Sequence, residues 1–122
     1  MIGDVLLECE LEPGWKETLV GFENHAGRTI LDPGAEPLGR VVAGFGNDGE
    51  SGYEGCRLGR AIGTYLHGPL LPRNPWLADW LLAQAIAHRT GDLPAFEPLP
   101  DELETQAHAV SARRAETRGG RF

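Results

Sequence analysis

A two-residue period of apolar side chains near the start of the chain constrains its fold more than any other feature. Val5, Leu7, Cys9 and Leu11 occupy every second position, and acidic residues stand between the last three of them. A period of two places these apolar side chains on one face of a β-strand, because successive side chains of a strand point to opposite sides. The strand begins so close to Met1 that we expect a further part of the domain to lie upstream of it.

Other segments of the first half also have the character of strands. A turn at Pro13 and Gly14 is followed by residues 18–22, which we expect to pair back on the first strand as a hairpin. Residues 37–44 predict another short strand, and residues 61–66 predict a short apolar strand that is buried. The first half of the chain is therefore predicted to be rich in strands.

A helix is predicted to follow these strands. Asn74 suits the N-cap position, Pro75 suits the first helical position, and Asp79 lies near the positive end of the helix dipole. Gly91 is a typical stop signal. The predicted inward face of this helix consists of Leu77, Trp80, Leu81, Gln84 and Ala85.

A proline-rich connector at residues 93–100 leads to a last predicted helix at residues 101–117. Its apolar stripe is formed by Leu103, Ala107 and Val110. Because the stripe is narrow, we expect this helix to dock lightly, and we expect the terminal RGGRF segment to be frayed. We therefore divide the chain into residues 1–100, part of an α/β domain, and residues 101–122, a C-terminal helix and tail.

Composition and charge exclude several classes of protein. The chain has 122 residues, and its 11 Lys and Arg against 18 Asp and Glu give a formal net charge of -7, which disfavours nucleic acid as a partner. Cys9 and Cys56 lie far apart, and no pair of histidines has metal-ligand spacing, so we expect neither a disulfide framework nor a bound metal. No segment resembles a signal peptide or a membrane span of about 20 apolar residues. We expect a cytoplasmic protein that does not insert into membranes.

The glycine-rich segment GFGNDGESGYEG is similar to a phosphate-binding loop only in its glycine content. It contains several acidic residues, lacks the GK[ST] ending and does not open a helix. We therefore interpret it as a mobile surface turn.

His67 is the candidate for chemistry, because it follows a predicted strand and is flanked by Gly68 and a proline. Side chains at a strand exit are displayed to solvent, where a histidine can transfer protons. The alternative is a histidine that bonds only to loop backbone. Glu23, Asn24 and His25 follow another predicted strand and would line the same pocket if the two strands are neighbours, although a solvated loop explains them equally well.

Neither cysteine has the surroundings of a catalytic nucleophile. Such a cysteine is usually held on a tight turn with glycines two residues to either side. Cys9 has leucines at these positions, and Cys56 has Glu54 and Leu58. The remaining histidines, His88 and His108, are explained by the helix dipole and by solvation.

Three segments, LVGFENHAGRT, GFGND and GTYLHGPLLPRNPWLADWLL, occur in an order that resembles the GatD-type glutaminase subunits of lipid II isoglutaminyl synthase. These belong to the CobB/CobQ-like class I glutamine amidotransferases. The resemblance implies a flavodoxin-like three-layer α/β/α fold, of which this chain would be the C-terminal portion. It also implies that His67 is the catalytic histidine. Family members carry the cysteine nucleophile and a substrate-binding arginine upstream of the matching region, so we expect this chain alone to be inactive.

The resemblance further implies the chemistry and the partner. Glutamine would be hydrolysed to glutamate and ammonia, and the ammonia would pass to a MurT-type ligase in a heterodimer that amidates the D-glutamate of lipid II during peptidoglycan synthesis. ATP and Mg would belong to that ligase, and this chain would hold no cofactor. Position 69 is proline where many class I relatives have the glutamate that orients the histidine, so the orienting group is open, with Glu23 one possibility.

Two other functions stay open on the sequence. One is the amidotransferase portion of a cobyric-acid-synthase-like enzyme of corrinoid biosynthesis. The other is a non-catalytic module that only binds a ligase.

Overall fold

A long antiparallel hairpin forms the centre of the computed structural model, which describes residues 1–118. The strands are Ile2–Glu12 (β1), Trp15–Asn24 (β2), Gly39–Ala43 (β3), Tyr53–Glu54 (β4), Cys56–Leu58 (β5), Ala61–Gly63 (β6) and Leu66–His67 (β7). The helices are Leu70–Arg73 (α1), Pro75–Thr90 (α2) and Glu102–Arg118 (α3). The predicted hairpin is confirmed, with Leu7 opposite Leu19 and Val5 opposite Gly21.

The main sheet has five strands in the order β4-β3-β1-β2-β7, and β5 and β6 form a separate pair. Each strand pairing within residues 1–118 is antiparallel. A mixed α/β architecture, rich in strands first and helical afterwards, is confirmed. The parallel pairing typical of a flavodoxin-like sheet is not seen within this part of the chain. None of the described helices has the length and apolar character needed to cross a membrane.

The sheet carries buried residues on both faces. We call the side that carries Val5, Leu7 and Leu19 the front face, and the side that carries Leu6 and Val20 the rear face. The front face packs against α1 and α2, and the rear face against α3. The alternation in β1 correctly predicted the front-face residues Val5, Leu7, Cys9 and Leu11, all of which are buried.

Residues 61–66 do not form the single buried strand that their composition predicts. Strand β6 ends at Gly63, and β7 begins only at Leu66. Of these residues only Leu66 is buried. Thr64 and Tyr65 leave the strand conformation because their hydroxyl and backbone groups bond to the side chain of Glu54 instead of to a neighbouring strand.

Helix α2 begins and ends where predicted, with Pro75 at its first position and Gly91 in the left-handed conformation, φ 88°, at its C-terminus. Asn74 occupies the N-cap position but its side chain does not cap the helix. Instead its amide donates to the backbone oxygen of Val20 and its carbonyl accepts from the Val20 N–H, both at under 3 Å. Asn74 therefore completes the edge of β2 in place of a neighbouring strand.

The inward face of α2 was only partly predicted. Leu77 is buried and Trp80 half-buried, as expected, whereas Leu81 and Ala85 are exposed. Trp76, which was not predicted to face inward, packs against the front-face core and donates its indole N–H to the oxygen of Thr18. The first turn of α2 thus contacts β2 through Trp76, whereas its later turns lie beside Arg57 and Arg60.

Helix α3 has the predicted extent, but the predicted inward stripe is wrong. Leu103, Ala107 and Val110 are exposed. Ala112 and Ala115 pack on Leu6 and Val20 instead, and Ala115 is fully buried. Small side chains let the helix approach the rear face closely, so the contact was not visible as a stripe of large apolar residues. Of the terminal RGGRF segment, residues 119–122 lie outside the described residues.

Candidate active site

His67 lies at the end of β7, on the edge strand of the five-stranded sheet. It pairs with Phe22 of β2, while Leu66 pairs with Glu23. The side chain of His67 is exposed, and within residues 1–118 its ring makes no hydrogen bond. An exposed imidazole at the end of a strand is available to transfer protons to a molecule bound beside it.

The other histidines are engaged in contacts of their own. His25 stacks on Tyr65 with ring centroids 3.7 Å apart, and its Nδ1 bonds to the oxygen of Gly27. His108 bonds through Nε2 to the hydroxyl of Thr18 and through Nδ1 to the oxygen of Arg73. His108 is therefore a docking residue of α3 and not the solvated side chain that the sequence predicted.

His88, near the end of α2, is exposed and bonds through Nδ1 to the guanidinium of Arg60. Among the described histidines, the open ring of His67 is the one best placed for chemistry.

Strands β2 and β7 are neighbours, as the pocket hypothesis requires. Paired residues of antiparallel strands project to the same face and successive residues to opposite faces, so His67 shares the rear face with Phe22 while Glu23 points to the front. Glu23 is fully buried and accepts from the backbone N–H groups of Phe45 and Gly46. The strand pairing thus brings the two residues together in the sheet but directs their side chains apart.

His25 and Asn24 complete this predicted group. The Nε2 of His25 lies 3.5 Å from the Glu23 carboxylate and is buried without a hydrogen-bond partner within the described residues. Asn24, at the end of β2, is exposed. Glu23 and His25 therefore form one buried cluster on the front face, and Asn24 lies outside it.

The glycine-rich segment is not a mobile surface turn throughout its length. Gly46, Asn47, Glu54 and Gly55 are buried. The side chain of Asn47 bonds to both the N–H and the oxygen of Gly55, which closes the segment into a loop. The loop is further held to β2 by the carboxylate of Glu23, so its conformation is fixed by side chains that the sequence pattern did not reveal.

Sequence reasoning missed Glu54, which bonds to the residues just before β7. It is fully buried, and burial raises the pKa of its carboxyl, although hydrogen bonds from Tyr65 N–H and the Thr64 hydroxyl oppose this effect. Its oxygens accept from Tyr65 N at 2.7 Å and from Thr64 Oγ1 at 2.8 Å. An acidic residue among glycines and other acids is typical of a solvated turn, so no local signal distinguishes Glu54.

Neither thiol has the surroundings of a nucleophile. Cys9 is buried in the front-face core, and burial raises the pKa of its thiol to about 12, which keeps it protonated at neutral pH. Cys56 is half-buried in β5. A strand residue of this kind is not presented on a strand-to-helix turn, as catalytic cysteines of α/β enzymes are.

Within residues 1–118, none of the cavities described below is bordered by His67 itself. One of about 190 Å³ is bordered by Thr64 and Tyr65, beside the segment that leads to His67. A larger one of about 720 Å³ lies at the far end of β1, bordered by Glu10, Glu12 and Arg57. Within residues 1–118, no group of three or more His, Cys, Asp and Glu side chains converges in a way that could hold a metal ion.

Comparison with known proteins gives the relatives of the chain. A sequence model of the CobB/CobQ-like glutamine amidotransferase domain matches residues 1–75. The GatD subunit of lipid II isoglutaminyl synthase (glutamine-hydrolyzing) from Staphylococcus aureus is 44% identical over 117 residues, which cover 94% of this chain and 44% of that protein. The same subunit from Streptococcus pneumoniae is 43% identical over 101 residues, 80% of this chain and 38% of that protein.

A probable cobyric acid synthase from Methanothermobacter thermautotrophicus is 46% identical over 52 residues, 43% of this chain and 10% of that protein. The chain thus spans less than half the length of each of these curated relatives.

Proposed function

The chain belongs to the CobB/CobQ-like glutamine amidotransferase family, and we propose that it supplies the histidine half of a glutaminase site whose ammonia is used to amidate lipid II. The observation that supports this proposal best is the exposed ring of His67 at the sheet edge. The likeness to the GatD subunits over most of the chain favours lipid II as the final acceptor. We further propose that the complete domain is a flavodoxin-like three-layer α/β/α structure.

In this site a cysteine thiolate attacks the side-chain carbonyl of glutamine, and a carbon–sulfur bond forms. His67, in its protonated form, gives its proton to the amide nitrogen as the carbon–nitrogen bond breaks, so that ammonia leaves. His67 then accepts a proton from water, whose oxygen attacks the thioester and displaces the thiolate. Glutamate is released, and both groups return to their starting states.

The nucleophile of this reaction is neither Cys9 nor Cys56. Cys9 is buried and protonated, and Cys56 lies within a short strand. We propose that the thiol comes from a part of the glutaminase that residues 1–122 do not contain, and that these residues alone do not hydrolyse glutamine.

The partner that consumes the ammonia is proposed to be a MurT-type ligase, in a heterodimer with the glutaminase. The name of the relatives, a glutamine-hydrolyzing synthase with a GatD subunit, supports a division of labour of this kind. ATP and Mg are assigned to the ligase, and no cofactor to this chain. We place the complex in the cytoplasm, because both cysteines of the chain are unpaired thiols.

The test is to join this chain to the part of the S. aureus GatD subunit that lies outside the matched region, and to measure ammonia release from glutamine. We expect the chimera to turn over and the isolated chain to release no ammonia above buffer. His67→Gln should lower kcat/KM of the chimera by about 10²–10⁴-fold, the usual contribution of a general acid and base.

His88→Gln is the matched control, since His88 is also exposed but lies at the end of α2. It should leave the rate of the chimera unchanged. Equal rates for His67→Gln and the unmodified chimera would contradict the proposed role, as would release of ammonia by the isolated chain.

The alternative, a portion of a cobyric-acid-synthase-like enzyme, is supported by a match that covers 43% of this chain. Adding either a MurT-type ligase with lipid II and ATP, or a corrinoid-amidating synthetase with its acceptor and ATP, to an active chimera separates the two, because ammonia should be transferred only with the correct partner and acceptor. A module that only binds a ligase would bind it without His67-dependent ammonia release.

A further inference from the structure

The strand that carries His67 is held weakly by the sheet itself. Strand β7 has two residues and pairs only with Phe22 and Glu23 of β2, and its other edge is free within the described residues. A short edge strand has few backbone hydrogen bonds to fix it. The orientation of His67 therefore depends on contacts made by the residues just before it.

Those contacts converge on Glu54. One carboxylate oxygen accepts from the N–H of Tyr65 at 2.7 Å, and the hydroxyl of Thr64 also donates to this carboxylate. The same hydroxyl accepts from the N–H of Leu66 at 3.0 Å. One fully buried carboxylate thus fixes two consecutive backbone N–H groups, one of them directly and one through Thr64.

The hydrogen bonds of Glu54 connect two different parts of the fold. Glu54 lies in β4, at one edge of the five-stranded sheet, and His67 lies in β7, at the opposite edge. The buried side chain of Glu54 bonds to residues 64–65, which lie against it on their way into β7. A buried carboxylate is costly unless its hydrogen bonds are satisfied, and here the donors that satisfy it belong to the segment before His67.

We propose that Glu54, acting through Thr64, is the positioning residue that sets the orientation of His67 for glutamine hydrolysis. This inference depends on the proposed function only for the role of His67. Glu54 does not touch the reacting atoms. Many relatives orient the histidine with a side chain at position 69, which is proline here. Glu54 instead orients His67 by holding the main chain of the residues before it.

We call the chain of hydrogen bonds from Glu54 through the Thr64 hydroxyl to the Leu66 N–H the relay. Thr64→Val tests the relay with little change of shape, because it removes the hydroxyl and keeps the branched side chain. In the isolated chain, the amide of Leu66 should exchange with solvent at least about tenfold faster, since it loses its acceptor. Thr64→Ser keeps the hydroxyl and should restore slow exchange. Thr105→Val, on exposed α3 surface, is the matched control and should leave Leu66 unchanged.

In the active chimera, Thr64→Val and Glu54→Gln should each lower kcat by about 10²-fold, as expected for a small misplacement of a catalytic group, with KM changed by less than about threefold. The double variant should be no slower than the slower single variant, because both changes act through one relay. Thr64→Ser should recover most of the lost rate.

The outcomes distinguish the two proposals. A chimera whose ammonia release does not depend on His67 contradicts the proposed function, and the exchange of Leu66 still tests the relay. Wild-type kcat in Thr64→Val and Glu54→Gln, in a chimera that does depend on His67, would overturn the positioning role. Unchanged exchange of Leu66 in Thr64→Val would overturn it too, as would additive losses in the double variant.

Discussion

The two thiols of the chain lie in different surroundings and should differ in reactivity. Cys9 is buried with a pKa raised to about 12, whereas Cys56 is half-buried. Because the thiolate is the reactive form, we expect iodoacetamide at pH 8 to alkylate Cys56 much faster than Cys9 in the folded chain. Mass spectrometry of peptides at successive times measures both rates.

The same labelling in urea is the control for these thiols, since unfolding should make the two rates similar. Rapid alkylation of Cys9 in the folded chain would contradict its place in the front-face core and would reopen Cys9 as a nucleophile.

Burial of Glu54 should make stability depend on pH. Its pKa is raised in the folded chain from an ordinary value of 4.5, so the folded state holds the proton more tightly than the unfolded state does. The free energy of unfolding should therefore fall as the pH rises above 4.5 towards the folded pKa. Glu54→Gln cannot ionise and should lack this decline.

Urea unfolding of Glu54→Gln and of the unmodified chain between pH 4 and 8 measures the difference. Glu97→Gln, in the exposed connector, removes the same charge without burial and should follow the unmodified chain. Parallel pH profiles for all three proteins would show that Glu54 is not buried as described.

At the scale of elements, the joint between β2 and α2 depends on one side chain. Asn74 satisfies both the N–H and the oxygen of Val20, and it also donates to the oxygen of Leu70. Asn74→Ala would leave these buried backbone groups without partners, so we expect a loss of unfolding free energy on the order of 3 kcal/mol. Chemical denaturation measures it.

Asn24→Ala is the control for this joint, because Asn24 is exposed at the end of β2. It should change stability by less than about 0.5 kcal/mol. A loss equally small for Asn74→Ala would contradict the role of Asn74 in completing the edge of β2.

The elements differ in how far the sequence could predict them. The hairpin was predictable because the alternation in β1 depends on one-sided burial of large side chains, and α2 because Pro75 and Gly91 impose local backbone conformations. The face of α3 was not predictable, since Ala112 and Ala115 pack by being small. Residues 61–66 were misassigned because Thr64 and Tyr65 bond to a side chain distant in sequence.

The residues of the candidate site also differ in how far the sequence could predict them. His67 was predicted from its place after a predicted strand and from the resemblance to a family, both of which are visible in short segments. The role of Glu54 and the direction of the Glu23 side chain were not predicted. Each depends on which strands become neighbours and on which residues pair, since pairing decides the face to which a side chain points. Tertiary contacts of this kind leave no local pattern.

At the scale of the whole molecule, the sheet is stable only if both of its faces are covered. The front face is covered by α1 and α2, and the rear face around Leu6 and Val20 by α3. Arg114 bonds to Asp4 at 2.7 Å, and His108 ties α3 to Thr18. Helix α3 therefore packs against the strands of the first half of the chain.

This interface yields a prediction for a chain that ends at residue 100. Without α3, Leu6 and Val20 lose the cover that Ala115 provides, and exposed apolar surface of this kind leads to association. We expect the truncated chain to unfold at a lower temperature, to bind the dye ANS and to self-associate in sedimentation experiments. The full chain with Leu103→Ser and Val110→Ser is the control, because it keeps the docking face and changes only exposed apolar residues of α3. This control should unfold at the same temperature as the unmodified chain. A truncated chain that is as stable as the full chain and monomeric would show that α3 is not needed to cover the rear face.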